Sequence, residues 1–112
     1  MNALAAVARF NAAFDARDVE AIMRTMTADC VFEDTTPPGG QRHAGAAAVR
    51  AAWERLFAAS PDATFTAEET FEAGDRVVVL WHYRYTGGHV RGVDVFTVRD
   101  GLVAEKRAYV KG

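Results

Sequence analysis

The sequence predicts an α+β domain in which one face of a curved antiparallel sheet packs on three helices. Two observations predict this fold class. In the first 59 residues, apolar side chains recur at helical spacing in three segments, whereas from residue 64 onward they alternate with polar side chains as in strands. The predicted element order is α-α-β-α-β-β-β-β. We expect residues 1–112 to form one domain, because this length supports one core but is short for two.

The three predicted helices cover residues 2–17, 19–28 and 45–59. Asp18 is a typical N-cap residue for the second helix, and Pro61 ends the third. The apolar stripes of these helices, which we expect to face the sheet, contain Leu4, Val7, Phe10, Phe14, Val19, Ile22, Met23, Met26, Val49, Trp53, Leu56 and Phe57. Each helix is therefore amphipathic.

The predicted strands begin with a short apolar segment at residues 30–33, which Pro37 and the following glycines bring to an end. An antiparallel meander follows, with strands at residues 64–72, 76–86, 90–99 and 102–110. Alternation in the second strand of the meander places Val79, Trp81 and Tyr83 on the face that packs on the helices. Aromatic side chains at this spacing are typical of a core, and they would equally line a pocket.

The opposite face of the predicted sheet is also apolar. It carries Val78, Leu80, Val93 and Val95, which is more apolar surface than a sheet normally leaves in water. We therefore predict a homodimer that forms through this outer face. His82 falls on the same face, where we expect it to contact the second copy.

Composition excludes several classes of protein. Thirteen Lys and Arg residues against fifteen Asp and Glu give a formal net charge of −2 without a basic segment, so nucleic acid is not an expected partner. No apolar segment is long enough to span a membrane, and no secretory leader is recognisable. The single cysteine, Cys30, cannot form an intrachain disulfide. These features favour the cytoplasm.

Two aspartates are the candidates for chemistry. Asp34 follows the short strand at the start of a Pro/Gly-rich loop; it could be a pocket carboxylate, or it could only accept backbone N–H groups in the turn. Asp94 alternates with Phe96 and Val98 on the helix-facing side of its strand. It could line a pocket, or it could be a buried structural acid that is paired with a lysine or a backbone N–H.

The turn at Asp100 and Gly101 decides which cation faces Asp94. A two-residue turn would place Arg107 opposite Asp94, whereas a three-residue loop would place Lys106 there. The three-residue loop divides apolar and polar residues of the last strand more cleanly, so we favour Lys106. A cation in this position would stabilise the ionised form of Asp94.

The chain resembles the superfamily of ketosteroid isomerase-like, SnoaL-like and nuclear transport factor 2-like proteins from end to end. The segments that carry the resemblance are Phe10–Asp18, Ala28–Asp34, Gly45–Arg50, Gly92–Phe96 and Ala108–Tyr109. The resemblance implies a cone-shaped domain whose curved sheet wraps around the helices, with a deep apolar pocket at its open end. It also implies a homodimer that needs no cofactor.

The resemblance to ketosteroid isomerases implies catalytic roles for two residues. Asp34 matches the general base, and Asp94 matches the protonated acid that stabilises an enolate oxygen. Phe10 stands where these enzymes have a tyrosine, so one donor of the oxyanion hole is missing. Tyr83 or Lys106 could replace that donor. We expect the substrate-binding wall to be formed by Phe10, Phe14, Met23, Phe32, Trp53, Phe57, Trp81, Tyr83, Phe96 and Lys106.

The function predicted from these residues is the binding of an apolar carbonyl or polyketide-like small molecule. Asp34 would remove a proton next to the carbonyl, as in an isomerase, cyclase or lyase. A binding or dimerisation module without catalysis is the alternative, and an epoxide hydrolase ranks lower. His43 and His89, in predicted loops, could shuttle a proton at the pocket mouth. The three histidines are too scattered to predict a metal site.

Overall fold

A computed structural model describes residues 2–112. Its helices are α1 (Ala3–Asp15), α2 (Val19–Arg24) and α3 (Ala46–Ala59), and its strands are β1 (Met26–Glu33), β2 (Arg42–Ala44), β3 (Thr64–Ala73), β4 (Arg76–Tyr85), β5 (Gly88–Arg99) and β6 (Leu102–Val110). The six strands form one curved, unclosed sheet in the order β2-β1-β6-β5-β4-β3, and the helices cover one face. The predicted α+β fold class is confirmed.

The predicted meander corresponds to β3, β4, β5 and β6, which pair with one another in antiparallel fashion. The beginning of the sheet differs from the prediction. The second helix ends at Arg24 rather than near Ala28, because Met26 already pairs with β6, in a parallel ladder. The short strand β2 was not predicted, and it pairs antiparallel with the end of β1.

Helix capping follows the local sequence. The Asn2 side chain accepts a hydrogen bond from the Ala5 N–H at the start of α1 (2.8 Å), and Asp18 accepts one from the Ala21 N–H at the start of α2 (3.1 Å), as predicted. Between these helices, Arg17 has a φ of 56°, and its guanidinium donates to the backbone carbonyls of Ser60 and Ala63, just beyond the end of α3. The α1–α2 corner is thereby fixed to α3.

Two bulges change which side chains face the helices. In β3, the register shifts between Ala67 and Glu69, so Phe71 lies beside Val78 on the outer face instead of sharing a face with Phe65. In β6, Ala104 is the extra residue opposite β5, because the register shifts between Val98 and Thr97. A bulge adds one residue to a strand and so reverses the facing of every residue beyond it.

The turn between β5 and β6 and the bulge after it give β6 a register that differs from both predicted ones. Asp100 and Gly101 have φ values of 53° and 77°, which is the geometry of a two-residue turn, and Arg99 pairs with Leu102. The preference for a three-residue loop was therefore wrong. Because the bulge follows, Asp94 lies opposite Ala108 rather than opposite either cation.

The core lies between the helices and the inner face of the sheet. Its largest fully buried side chains include Trp53 from α3, Phe10 from α1 and Phe96 from β5. The ring of Phe10 contacts those of Trp53 (5.9 Å between centroids) and Phe96 (5.3 Å) in edge-on arrangements. Burying each such side chain stabilises the fold by roughly 1.5–3 kcal/mol. These contacts connect the helices to the sheet.

No helix within residues 2–112 is long and apolar enough to cross a membrane.

Candidate functional site

A cavity of about 470 Å³, here called the main cavity, opens between α3, the β1–β2 loop and the inner face of the sheet. Its wall combines aromatic and aliphatic side chains with polar and ionisable ones. The lining residues are Phe14, Phe32, Asp34, Thr35, Thr36, Gln41, His43, Ala52, Arg55, Leu56, Phe65, Trp81, Tyr83, Val90, Asp94, Lys106, Ala108 and Val110. Most of the exposed wall is apolar, and an apolar wall with polar groups at defined positions is typical of a small-molecule site.

The structure divides the residues predicted from the sequence into three groups. Those that line the main cavity are Asp34, Asp94, Phe14, Phe32, Trp81, Tyr83 and Lys106. Those that are fully buried in the core instead, with no surface toward the cavity, are Phe10, Trp53 and Phe96. Met23 packs at the margin of the core, and Phe57 lines a separate pocket beside Arg17.

Asp34 is held at the end of β1 by three hydrogen bonds. Its Oδ1 accepts the backbone N–H of Thr36 (3.0 Å) and that of Gln41 (2.7 Å), and its Oδ2 lies 3.0 Å from Nε2 of His43. The Asp34 backbone N–H in turn donates to the Gln41 carbonyl (3.0 Å). Asp34 therefore orders the loop, as the turn interpretation predicted, and it also lines the cavity.

These contacts lower the pKa of Asp34. Partial burial raises the pKa of this carboxyl, but the hydrogen bonds from the Thr36 backbone, the His43 ring and the Gln41 backbone outweigh it and bring the pKa to about 2. The side chain is 23% exposed. Asp34 is consequently ionised at neutral pH and acts there only as an acceptor.

His43 is the partner that sequence reasoning placed in a loop. It lies in β2, where the pairing of His43 with Phe32 turns its side chain toward the main cavity, and its ring stacks on the Phe32 ring (5.7 Å between centroids). Because the ionised Asp34 can only accept, Nε2 of His43 carries the hydrogen. In the neutral ring the lone pair then lies on Nδ1, which has no hydrogen-bond partner within residues 2–112.

The second pair at the cavity is buried. Asp94 is 7% exposed and Lys106 5%, and Nζ of Lys106 lies 3.5 Å from Oδ2 of Asp94. Burial raises the pKa of Asp94, while the charge of Lys106 and the indole N–H of Trp81 act in the opposite direction. The expected proximity of Lys106 to Asp94 is confirmed, although the register that was expected to produce it was not.

The ammonium group of Lys106 lies among five aromatic rings. Its Nζ is 4.6 Å from the ring centre of Phe14, and the other four centres lie between 5.2 and 6.0 Å away; they belong to Phe10, Phe32, Trp53 and Phe96. Each ring face attracts a cation, and this attraction offsets part of the cost of burying the charge. The residues that line no cavity thus still act on the site, because they surround its cation.

Phe32 connects the two pairs, since its ring contacts both His43 and Lys106. Trp81 lies beside Asp94, and its indole N–H is buried without a hydrogen-bond partner of normal geometry. Two acids, a histidine and a lysine therefore border one apolar cavity. Within residues 2–112, no group of three or more His, Cys, Asp or Glu side chains is arranged to hold a metal ion.

Sequence reasoning placed one lining residue in the wrong element and left another out. His43 was a candidate proton shuttle but was expected in a loop, because β2 has only three residues, too few for a visible alternation. Arg55 lies outside the apolar stripe predicted for α3, yet it lines the cavity together with Ala52 and Leu56. The sequence also contained no signal for the bulges that set the register.

Comparison with known proteins identifies related folds. The family model described as a SnoaL-like domain matches residues 7–106. An NTF2-like protein of unknown function from Mesorhizobium loti is 40% identical, with a TM-score of 0.87 over 98% of this chain and 91% of that one. No curated protein matches the chain.

Two further solved structures are similar in fold, and each is of a protein that is named together with a small molecule. A computationally designed 17-OHP binder is 29% identical, with a TM-score of 0.80 over 97% of this chain and 90% of that one. TerC, co-crystallised with polyporic acid, is 24% identical, with a TM-score of 0.82 over 97% and 90% of the two chains. At that identity, the second likeness concerns the fold alone.

Proposed function

We propose that this chain binds an apolar carbonyl or polyketide-like small molecule in the main cavity and transfers a proton next to the carbonyl. The chain belongs to the SnoaL-like domain family within the NTF2-like superfamily. The reaction would be that of an isomerase, cyclase or lyase. The observation that carries the proposal is the 3.0 Å contact between Asp34 and His43 at the wall of an apolar cavity. The similarity to the designed 17-OHP binder supports a small-molecule ligand.

In this proposal His43, not Asp34, receives the proton. A carboxylate with a pKa of about 2 is a weak base at neutral pH, whereas imidazole is suited to accept a proton there. Asp34 accepts the Nε2 hydrogen, which leaves the lone pair on Nδ1 and stabilises the imidazolium that forms. The C–H electron pair moves into the carbonyl, and the proton goes to Nδ1. Asp34 is then a positioning residue.

Lys106 supplies the positive charge for the oxygen of the enolate. An ammonium in an apolar, water-poor environment stabilises a developing oxyanion more strongly than it would in water. Lys106 therefore takes the role that Phe10 cannot fill, since a phenyl ring donates no hydrogen bond. Asp94 holds Lys106 in place through the 3.5 Å contact and is not needed as a neutral donor.

The test follows exchange of the α-protons of β-tetralone, an apolar bicyclic ketone, for deuterium in D₂O by NMR. We expect the protein to accelerate exchange over buffer, and His43→Gln to reduce that acceleration about a hundredfold. His89→Gln is the matched control, because His89 does not line the main cavity. Binding of the ketone without any acceleration of exchange would contradict catalysis.

A non-catalytic binding module is the second candidate. It is favoured by the extent to which both acids are already engaged: Asp34 accepts three hydrogen bonds, and Asp94 is paired with Lys106. Such a protein would bind the ketone but leave its protons in place. An epoxide hydrolase-like activity remains a lower-ranked prediction, and a cytoplasmic location remains a prediction.

We further infer that two copies associate through the outer face of the sheet. In the single chain Val78, Leu80, Val93 and Val95 are only half-buried there, and Tyr109 beside Val93 is 50% exposed. The β3 bulge adds Phe71, which is 53% exposed, to the same face. His82 is buried on this face, with its Nε2 2.9 Å from Nδ1 of His89.

A further inference from the structure

We propose that the ligand of the main cavity carries a carboxylate and that Arg55 binds this group at the cavity entrance. This inference rests on the proposed function, because it concerns the ligand of the same cavity. It adds the chemical class of that ligand, an apolar keto acid.

Arg55 belongs to the cavity-facing side of α3. It lines the main cavity together with Ala52 and Leu56, and its side chain is exposed, which places it at the entrance. The positions three and four residues away along the helix are all alanine: Ala51, Ala52, Ala58 and Ala59. No carboxylate on α3 can therefore pair with Arg55.

Arg55 also has no partner elsewhere in residues 2–112, since it makes no ion pair or hydrogen bond with any of them. Arg50, on the same helix, shows the contrast, because its guanidinium pairs with Glu20. The other charged groups that line the cavity are each engaged. Asp34 is bound by three donors, and Asp94 faces Lys106.

The uncommitted charge among the lining residues of the described chain is therefore positive. A guanidinium is planar and presents paired N–H donors that match the two oxygens of a carboxylate. Apolar and aromatic lining residues, among them Leu56, Phe65 and Val90, favour an apolar ligand body. The geometry thus fits a molecule with a carboxylate at the entrance, an apolar body, and a ketone toward His43 and Lys106.

The experiment compares the binding of β-benzoylpropionic acid with that of its methyl ester by calorimetry. The ester keeps the ring and the ketone but lacks the charge. We expect the wild-type protein to bind the acid roughly fivefold more tightly, which is the range of a partly exposed ion pair. Arg55→Ala should remove this preference, and Arg55→Lys should retain part of it. Higher salt should reduce the preference of the wild type.

Arg50→Ala is the matched control, because Arg50 lies on the same helix but is paired outside the cavity; it should keep the full preference. Equal binding of acid and ester by the wild type would overturn this inference while leaving the proposed function intact. A preference that persists in Arg55→Ala would overturn the role of Arg55. Failure of both molecules to bind would contradict the proposed function and this inference with it.

Discussion

Asp34 and Asp94 show how the surroundings of one residue type set opposite pKa shifts. Asp34 accepts hydrogen bonds from two backbone N–H groups and an imidazole, and its pKa falls to about 2. Asp94 is more deeply buried, and burial raises its pKa against the opposing charge of Lys106. Hydrogen bonds stabilise the first carboxylate, whereas loss of water destabilises the second. The two acids therefore cannot have equivalent roles.

Asp34 should make the free energy of unfolding depend on pH in the acid range. Its pKa in the folded protein lies below its ordinary value of 3.8, so its contribution is complete above pH 4 and is lost as the pH falls toward 2. We expect wild type to exceed Asp34→Asn by about 1–2 kcal/mol in free energy of unfolding at pH 6, since the partly exposed site weakens the effect. The gap should close near pH 2. Urea unfolding at both pH values measures it.

Glu72→Gln is the control for this prediction, because Glu72 is exposed and has no ion pair within the described chain. Its stability should follow that of wild type at both pH values. A gap between wild type and Asp34→Asn that stays constant from pH 6 to pH 2 would contradict the assignment of the low pKa to Asp34.

Lys106 and Asp94 should be strongly coupled in stability. Lys106→Met or Asp94→Asn alone leaves a buried group without its partner, so each should lower the free energy of unfolding by roughly 3 kcal/mol. The double variant should be less destabilised than the sum of the two, because it leaves no unpaired charge. Urea unfolding of all four proteins measures the coupling; additive losses would show that the 3.5 Å contact contributes nothing.

At the scale of elements, the β1–β2 loop determines the shape of the site. The loop must return closely past Asp34 so that the Gln41 N–H can reach its carboxylate. Gly40 permits this return, since its φ is 84° and a Cβ there would lie 2.5 Å from the Asp34 carbonyl oxygen. The strand β2 then places His43 on the other carboxylate oxygen.

Gly40→Ala should therefore disturb the site as well as the fold. We expect a loss of at least 1 kcal/mol of stability, because the substituted residue is strained and contacts the backbone. The Asp34 pKa should rise, because the Gln41 N–H is displaced. Gly39→Ala is the matched control, since a Cβ at Gly39 meets no atom within 4 Å. Carboxyl NMR titration of Asp34 gives the pKa, and an unchanged pKa in Gly40→Ala would contradict this role.

Long elements with a regular period were the most predictable from the sequence. The last strand was predicted at 102–110, as observed, and the N-cap at Asp18 was confirmed. The short strand β2 and the start of β1 were not predictable from the sequence. They are stabilised by pairing with other strands of the sheet and have no local pattern of their own. The bulges at Glu68 and Ala104 leave no signature in composition, yet each reverses the facing of the residues beyond it.

The candidate site was predictable in part for the same reason. Alternation and the resemblance were sufficient to predict Asp34, Asp94 and Lys106 as site residues. The pairing of His43 with Asp34 depends on β2, so it became visible only with the sheet. Arg55 was not predicted as a lining residue, because a residue at the edge of a helical stripe can face either solvent or a cavity.

At the scale of the whole molecule, the outer face of the sheet carries half-buried and exposed apolar side chains that no helix within residues 2–112 covers. If it forms a homodimer interface, a charge at its centre should separate the copies. We expect wild type to sediment as a dimer at micromolar concentration and Val93→Glu as a folded monomer, because the symmetry of a dimer brings both charges together.

Ala58→Glu, which adds the same charge on the exposed side of α3, should remain dimeric and is the control. A wild-type protein that sediments as a monomer would contradict the proposed interface.

The most direct test of the central claim, proton transfer to His43 positioned by Asp34, is the pH dependence of deuterium exchange into β-tetralone catalysed by the protein. Asp34 is already ionised above pH 4, so if it were the base the rate would be flat from pH 5 to pH 8. We predict that the rate rises across this range, because the base is an imidazole and not a carboxylate, and that His43→Gln removes the rise. A flat profile, or a rise that persists in His43→Gln, would contradict the claim.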